Sequence, residues 1–277
     1  SGSAALALDS SRLGDLGMFI EKMTDRGELE AVLMRDRLAN AYLLGNLDPQ
    51  YYPFCKWHVI RGADNEVHGI CLLYIGLSLP VVFVSCKDEH FAEFMKSCTN
   101  ELPERYHFHV LEDNMTEVPG YFEPRTSQRM IRMGLERSNY KTRTTKHEVE
   151  RLGHRDTAAI MDLYQHYPDN FFEPYQLETG LYFGVRDEEL GLSSIAGIHV
   201  FNEEHDVAVI GNFVTHPDRR GQGLATACTA RLLDELFGRV SFVALNVQED
   251  NAPAIKMYGN FGFEKNNIFF EGRVGEP

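Results

Sequence analysis

Hydrophobic spacing divides the chain into short strand-like runs and helical stretches. Residues 207–210 are continuously apolar and read as a buried strand. Downstream, Leu224, Cys228, Leu232 and Leu236 recur every four positions and mark one face of a helix. Residues 241–247 predict a second buried strand and 251–258 a second helix, followed by Gly262-Phe263. Earlier, residues 16–47 carry a helical pattern with a break at Asp25-Arg26-Gly27. Its segment 28–44 places Leu29, Val32, Leu33, Leu38 and Tyr42 near one face. Strands are predicted at 57–61, 69–75, 80–85 and 105–111, with a turn at 62–65 and a helix at 89–98. Residues 130–135 close the first half, and the polar stretch 136–147 reads as a linker. The second half opens with a strand near 148–152 and a helix over 156–164, with Ala159, Ile160 and Leu163 inward.

The segment from Phe213 to Ala225 joins a strand to a helix through one Pro, two Arg and two Gly. The first amides of a helix lack intrahelical partners and carry the positive end of its dipole, so they suit a phosphate. Glycine at 221 and 223 lets backbone approach such a ligand closely. A Walker loop would need Lys and then Ser or Thr after its last Gly, where Leu224-Ala225 stand. A Rossmann fingerprint would need a third Gly, where Thr226 stands. What remains is R-x-x-G-x-A, from Arg220 to Ala225. A second pattern, N-x-x-A-x-x-x-Y-x-x-x-G-F, runs from Asn251 through Tyr258 to Phe263.

Together these motifs resemble the GCN5-related N-acetyltransferases (the GNAT superfamily), and most of all its FR47-like two-domain type. The resemblance covers residues 147–270 well and the first half weakly. It implies an α/β (α+β) fold, a mixed central sheet flanked by helices, with acetyl-CoA as cosubstrate and an amine as acceptor in a ternary complex. By the same resemblance, Phe213 and Val214 lie on a strand edge that pairs with pantetheine. Arg219, Arg220, Gly221, Gln222, Gly223, Leu224 and Ala225 form the pyrophosphate loop, and Asn246, Asn251 and Tyr258 complete the coenzyme site. Tyr258 matches the position of the family's general acid, though packing against pantetheine alone would also explain it. Asn251 also reads as a plain helix N-cap.

An alkyl amine has an ordinary pKa of about 10.4, so at neutral pH on the order of one molecule in a thousand is deprotonated. A base or desolvation must help. Many family members carry a Glu on the strand before the loop, but here that position reads Asn212, which can hold a water and cannot act as a base. His199, with an ordinary pKa of about 6.5, and Glu173 are the alternative candidates. The stretch 167–175 (Tyr167, Phe171, Phe172, Tyr175, with Asp169 and Glu173) falls where the family builds one wall of the acceptor pocket. Aromatic packing of a helix–loop junction explains the same residues.

Faint echoes link the halves: 57–61 with 182–186, 69–72 with 197–200, and 110–114 with 247–251. A tandem arrangement follows, with a degenerate GNAT-like N-terminal domain at 1–140 that lacks a phosphate loop and a catalytic domain at 147–277. Other readings stay open: transfer of a longer acyl group to an amino acid, or an acyl-CoA-binding sensor without turnover.

Composition narrows the picture. The 277 residues carry 27 Lys and Arg against 41 Asp and Glu, a net charge of −14, which argues against nucleic acid as a partner. Five cysteines form no CxxC pattern and sit mostly in apolar runs, as expected of reduced core residues in a cytoplasmic protein. No stretch approaches a membrane span, so a soluble chain with no membrane partner is expected. Ser1-Gly2-Ser3 reads as a cloning scar. His107 and His109 share a strand face but lack a nearby third ligand in the sequence, so they read as structural and no metal is expected. Acceptor identity and oligomeric state are silent.

Overall fold

The computed structural model describes residues 11–13, 18–86, 88–170 and 172–276. Strands are β1 Ser11–Leu13, β2 Met18–Met23, β3 Cys55–Arg61, β4 Val67–Tyr74, β5 Val81–Cys86, β6 Tyr106–Leu111 and β7 Pro124–Glu136. They continue as β8 Glu150–Arg151, β9 Phe183–Asp187, β10 Gly191–Asn202, β11 Val207–Thr215, β12 Phe242–Gln248 and β13 Glu264–Val274. Helices are α1 Arg26–Leu33, α2 Ala41–Gly45, α3 Asp88–Cys98, α4 Thr157–Tyr164, α5 Leu224–Leu236 and α6 Ala252–Phe261. Two compact units result. One comprises residues 1–35, 49–130 and 268–277, the other 36–48 and 131–267.

In the first unit the strand order is β1-β2-β3-β4-β5-β6-β13. All these pairs are antiparallel except β5 with β6, which run parallel from Val81↔His107 to Val84↔Val110. A parallel pair needs a crossover, and α3 supplies it. Phe91, Phe94, Met95 and Cys98 of α3 bury against Cys71, Leu73, Val82, Val84, Phe108 and Val110. Because strand side chains alternate, His107, His109 and Phe83 point to the opposite face.

The second unit repeats this plan. Its order is β8-β9-β10-β11-β12-β7, with antiparallel pairing from β8 to β11 and a parallel β11–β12 pair bridged by α5. The faint sequence echoes therefore mark equivalent strands: β3 with β9, β4 with β10, and the ends of β6 and β12. The connectors differ. In the first unit β5 ends at Cys86 and α3 begins at Asp88, whereas residues 216–223 separate β11 from α5. The second unit's connector is thus much the longer of the two.

Several expectations need correction. Residues 18–23 are a strand, registered from Phe19↔Arg61 to Met23↔Trp57, where a helical pattern was expected; cross-strand pairing overrides local propensity there. The start of that expected helix, Leu16, lies outside the described residues, as do residues 1–8 and Phe171. The stretch 28–44 is not one helix: α1 ends at Leu33 and α2 starts at Ala41. Leu29 and Leu33 are buried in the first unit, and Tyr42 in the second, so they share no face.

The division also differs from the continuous stretches 1–140 and 147–277. Residues 36–48 pack into the second unit, where α2 lies against β10 and β11. Leu44 and Leu47 are fully buried there, each worth roughly 1.5–3 kcal/mol. Residues 131–136 of β7, expected to finish the first half, join the second unit beside β12. In return, residues 268–274 of β13 finish the first unit's sheet beside β6. The linker is docked rather than loose. Lys141 N–H donates to the Phe261 carbonyl at 2.9 Å, and Tyr140 Oη to Asp234 at 2.8 Å. Gly262 ends α6 at φ +104, and a Cβ there would lie 2.4 Å from the Asn139 carbonyl oxygen.

Candidate active site

The second unit gathers most of the candidate residues where β11 and β12 part. Their parallel pairing runs from Val207↔Phe242 to Ile210↔Leu245 and stops, although β11 continues to Thr215 and β12 to Gln248. Beyond Ile210, β11 is held only on its other side, by β10. Two irregularities sit at this point. Gly197↔Gly211 is followed by Ile195↔Val214, so Asn212 and Phe213 together oppose Ala196, and Asn212 adopts φ +59. On β10, His199 is the extra residue between Ile198↔Ile210 and Val200↔Val209. Bulges of this kind bend a strand and re-aim side chains.

Asn212 is buried and fully engaged on its amide side. Its Nδ2 donates to Tyr182 Oη at 2.8 Å and to Gln176 Oε1 at 3.4 Å, while its main-chain carbonyl accepts from Tyr164 Oη at 2.7 Å. Burial pushes the Tyr164 phenol well above its ordinary range, so it stays a donor. His199, half-buried, lies with its ring against Gly211: a Cβ at 211 would come within 1.9 Å of His199 Nε2. The ring also lies 6.0 Å from that of Tyr42, centroid to centroid. Glu173 opens the 3-10 helix Pro174–Thr179, its N–H donating to Gln176 Oε1 at 2.9 Å. The aromatic stretch divides its roles. Phe172 stacks on Tyr164 at 5.0 Å and meets Tyr182 edge-on at 5.6 Å, as part of the interior. Tyr167 instead reaches the loop.

That loop runs from the 3-10 turn Pro217–Arg219 to the start of α5. Gly221 takes φ +73 and Gly223, the N-cap of α5, takes φ +82. A Cβ built at Gly221 meets nothing within 4 Å, so the loop's outer side is open. Arg220 is exposed and donates to Tyr167 Oη at 2.7 Å, while Tyr167 donates to the Thr215 carbonyl. Arg219 does not face the same way. It is forked onto Asp187 at 2.8 Å and reaches Glu189 at 2.7 Å, tying the loop to the turn between β9 and β10. The Arg219 guanidinium and two backbone amides hold the Asp187 carboxyl well below the usual range. His147, at the end of the linker, contacts the Gln222 carbonyl through Nε2 at 2.8 Å. Nothing in the motif pointed to His147 or Asp187, because neither is near the loop in sequence.

On the other side of the opening stand α6 and β12. Tyr258 is buried, its ring meeting Phe213 edge-on at 5.9 Å and Phe263 at 5.8 Å. Its hydroxyl makes no hydrogen bond to a described residue, and burial raises its pKa above the ordinary phenol value. Asn251 Oδ1 accepts the Ala254 N–H at 3.2 Å, which makes it the N-cap of α6. Asn246, just past the last β12 residue paired with β11, accepts from Arg132 Nε at 3.0 Å, and its buried Nδ2 has no partner among the described residues. Val214 and Leu224 are buried in the frame of the loop, and Ala225 lies in the first turn of α5.

Comparison with known proteins agrees with this architecture. Residues 149–263 match the sequence model of the acetyltransferase (GNAT) family. A mycothiol acetyltransferase from Thermobifida fusca (strain YX) is 29% identical over 164 residues, 53% of this chain and 47% of that protein. The chain thus spans about half the length of the curated relative it matches. A solved Drosophila protein superposes with a TM-score of 0.68 at 13% identity, covering 94% of this chain and 99% of its own. A GCN5-related N-acetyltransferase from Sphaerobacter thermophilus gives 0.59 at 12% identity, covering 94% and 96%. A tandem GNAT protein from the clavulanic acid biosynthesis pathway gives 0.55 at 15% identity, covering 94% and 99%. Among the described residues no helix is long and apolar enough to cross a membrane. With the loop, the parted strands and these matches in agreement, residues 149–263 are a domain of the acetyltransferase (GNAT) family, carried in a chain with the tandem GNAT fold.

Proposed function

We propose that this protein transfers an acetyl group from acetyl-CoA to the amine of a small-molecule or peptide acceptor by direct attack in a ternary complex. The observation that carries the reading is the meeting of three features. β11 loses its β12 partner after Ile210, an open Gly loop caps α5, and Tyr258 packs on Phe213 beside the gap. Backbone from Gly211 to Thr215 offers an edge for pantetheine amides, and the amides of residues 221–225 with Arg220 suit the pyrophosphate. Asn246 Nδ2 is a spare donor on the facing strand. The thioester then lies near Phe213, where Tyr258, still protonated, delivers a proton to the departing thiolate. In this scheme Asn251 contributes by fixing the start of α6, and Arg219 by fixing the loop. The first unit, with its short β5–α3 connector, acts as a degenerate domain that binds no coenzyme. The Thermobifida relative bears the name of an acetyltransferase, which accords with this chemistry.

Thiol release from acetyl-CoA across a panel of amines tests the proposal. At least one amine is expected to raise the rate well above hydrolysis. A second reading, an acyl-CoA sensor without turnover, rests on Asn212, whose amide is committed to Tyr182 and Gln176 where a carboxylate base would serve catalysis. Acetyl-CoA binding with no thiol release for any amine would favour it.

Among the base candidates His199 is the one beside the gap. Gly211→Ala is expected to displace its ring, because the added methyl would occupy the position of Nε2. If His199 accepts the proton, Gly211→Ala and His199→Ala should both lower kcat by roughly 10²-fold. Both should leave acetyl-CoA affinity within a few-fold. Full activity in His199→Ala would remove it as the base and leave Glu173 or a water held near Asn212.

A further inference from the structure

We infer that the first unit carries a divalent transition-metal site formed by His107, His109 and Glu271. Two histidines alone were read from the sequence as structural. The third group comes from 162 residues further along the chain and becomes visible only when β13 pairs with β6. In that antiparallel ladder Glu271 lies directly across from His109, and Arg273 across from His107. Directly opposed residues share a face, and residues two apart on a strand do too, so all three donors project from one side of the sheet. This is the side away from α3 and its apolar core.

The distances suit shared coordination. One ligand atom from each residue lies within 4.8 Å of the others. Glu271 Oε2 is 3.9 Å from His107 Nε2 and 3.7 Å from His109 Nδ1. Two ligands on one tetrahedral Zn²⁺, each about 2.0–2.2 Å from it, sit roughly 3.3–3.6 Å apart. The two Glu271 distances would close by a few tenths of an ångström and the widest pair of the set by about 1 Å, through side-chain torsions. The imidazoles are already well placed: His107 and His109 meet at 71° with centroids 4.9 Å apart. His109 is further clamped between Phe83 at 4.5 Å and Phe269 at 5.4 Å, both stacked on it. Such rings hold an imidazole in orientation and shield the donor set from water. Both histidines are buried, while Glu271 keeps partial access to solvent, the side from which an ion would enter.

Two imidazoles and one carboxylate form a borderline donor set that suits Zn²⁺, Co²⁺ or a similar late first-row divalent ion and disfavours Ca²⁺ or Mg²⁺. Arg273 is the charge on this ladder that works against a cation, and it offers no ligand. The acetyl transfer proposed above does not use this site. Its role is to fasten residues 268–274 to β6, closing the first unit.

Titration calorimetry on the chelator-treated 277-residue chain, with ZnCl₂ as probe and MgCl₂ as control, is the test. One Zn²⁺ per chain is expected to bind at this site, with a higher melting temperature and no response to Mg²⁺. His109→Gln and Glu271→Gln, which keep side-chain size, should each weaken that binding at least tenfold. Their metal-free circular dichroism should match the unaltered protein. Co²⁺ substitution of the unaltered protein gives a second readout, needing no variant: visible bands of tetrahedral intensity are expected. Absence of Zn²⁺ binding, Zn²⁺ binding undiminished in both variants, or only the weak bands of octahedral Co²⁺ would overturn the assignment.

Discussion

Replacing Gly223 with Val is expected to abolish acetyl-CoA binding while leaving the protein folded. Gly223 caps α5 at φ +82, and Gly221 two residues earlier takes φ +73. An L-residue in the left-handed region costs roughly 1–2 kcal/mol, and a β-branched one fits worst of all. The protein itself leaves space around both: nothing lies within 4 Å of a Cβ at Gly221, and the nearest atom at Gly223 is His147 Nε2 at 3.9 Å. The substitution therefore strains the loop without breaking the core. It also turns the first amides of α5 away and fills the space a pyrophosphate would take. Losing two or more amide–phosphate bonds should raise Kd by roughly 100-fold or more, since each tenfold corresponds to about 1.4 kcal/mol. Calorimetry on the unaltered protein, Gly221→Val and Gly223→Val decides the matter, with thermal melts as the folding control. Unchanged affinity in both variants would place the phosphates elsewhere. Failure of the unaltered protein to bind acetyl-CoA, coenzyme A or longer acyl-CoAs would mean that this GNAT fold has lost its coenzyme.

Tyr258→Phe is expected to lower kcat by about 10²- to 10³-fold with little change in acetyl-CoA affinity. The ring's contacts with Phe213 and Phe263 survive the change, and the lost hydroxyl had no hydrogen bond to a described residue. Stability should consequently shift by less than about 1 kcal/mol. Burial raises the phenol's pKa by disfavouring the phenolate, so the proton is retained through the neutral range. The sign matters for the pH profile. Loss of activity through Tyr258 ionisation should appear only above its ordinary value of about 10, not between pH 7 and 9. Steady-state kinetics from pH 6 to 10 for both proteins checks this. Equal rates would show that Tyr258 only packs.

The pieces of the site that were legible in the sequence are those whose chemistry is local. Gly221, Gly223 and the strand and helix around them announce a strand–loop–helix turn with glycines at the helix start within a dozen residues. Tyr258 and Asn251 are fixed by spacing along one helix. What stayed hidden depends on pairing across the chain. The bulges at Asn212 and His199 exist because β10 and β11 fall out of register, and neither strand reveals that alone. Asn tolerates positive φ, but only the pairing says that Asn212 must adopt it. Tyr42 was read with Leu29 and Leu33 as one helix face, and nothing in the sequence says that residues 41–47 pack with the second unit. The resemblance placed Arg219 in the phosphate loop, whereas the distant Asp187 and Glu189 claim it. Glu271 lies too far from His107 for any spacing rule to connect them.

The exchanged end strands bear on how this chain is made. Residues 131–136 belong to the second unit, and residues 268–274 belong to the unit begun first. On the ribosome the N-terminal sheet therefore emerges with β6 as an open edge and waits through the synthesis of the entire GNAT domain for its closing strand. An exposed edge is a template for wrong pairing, and long-range closure is slow. Domain-by-domain folding in order of synthesis, the usual route for long chains, is closed to this one: the half made first is the half finished last. Cutting the gene at the linker would yield two fragments, each lacking the strand that the other encodes.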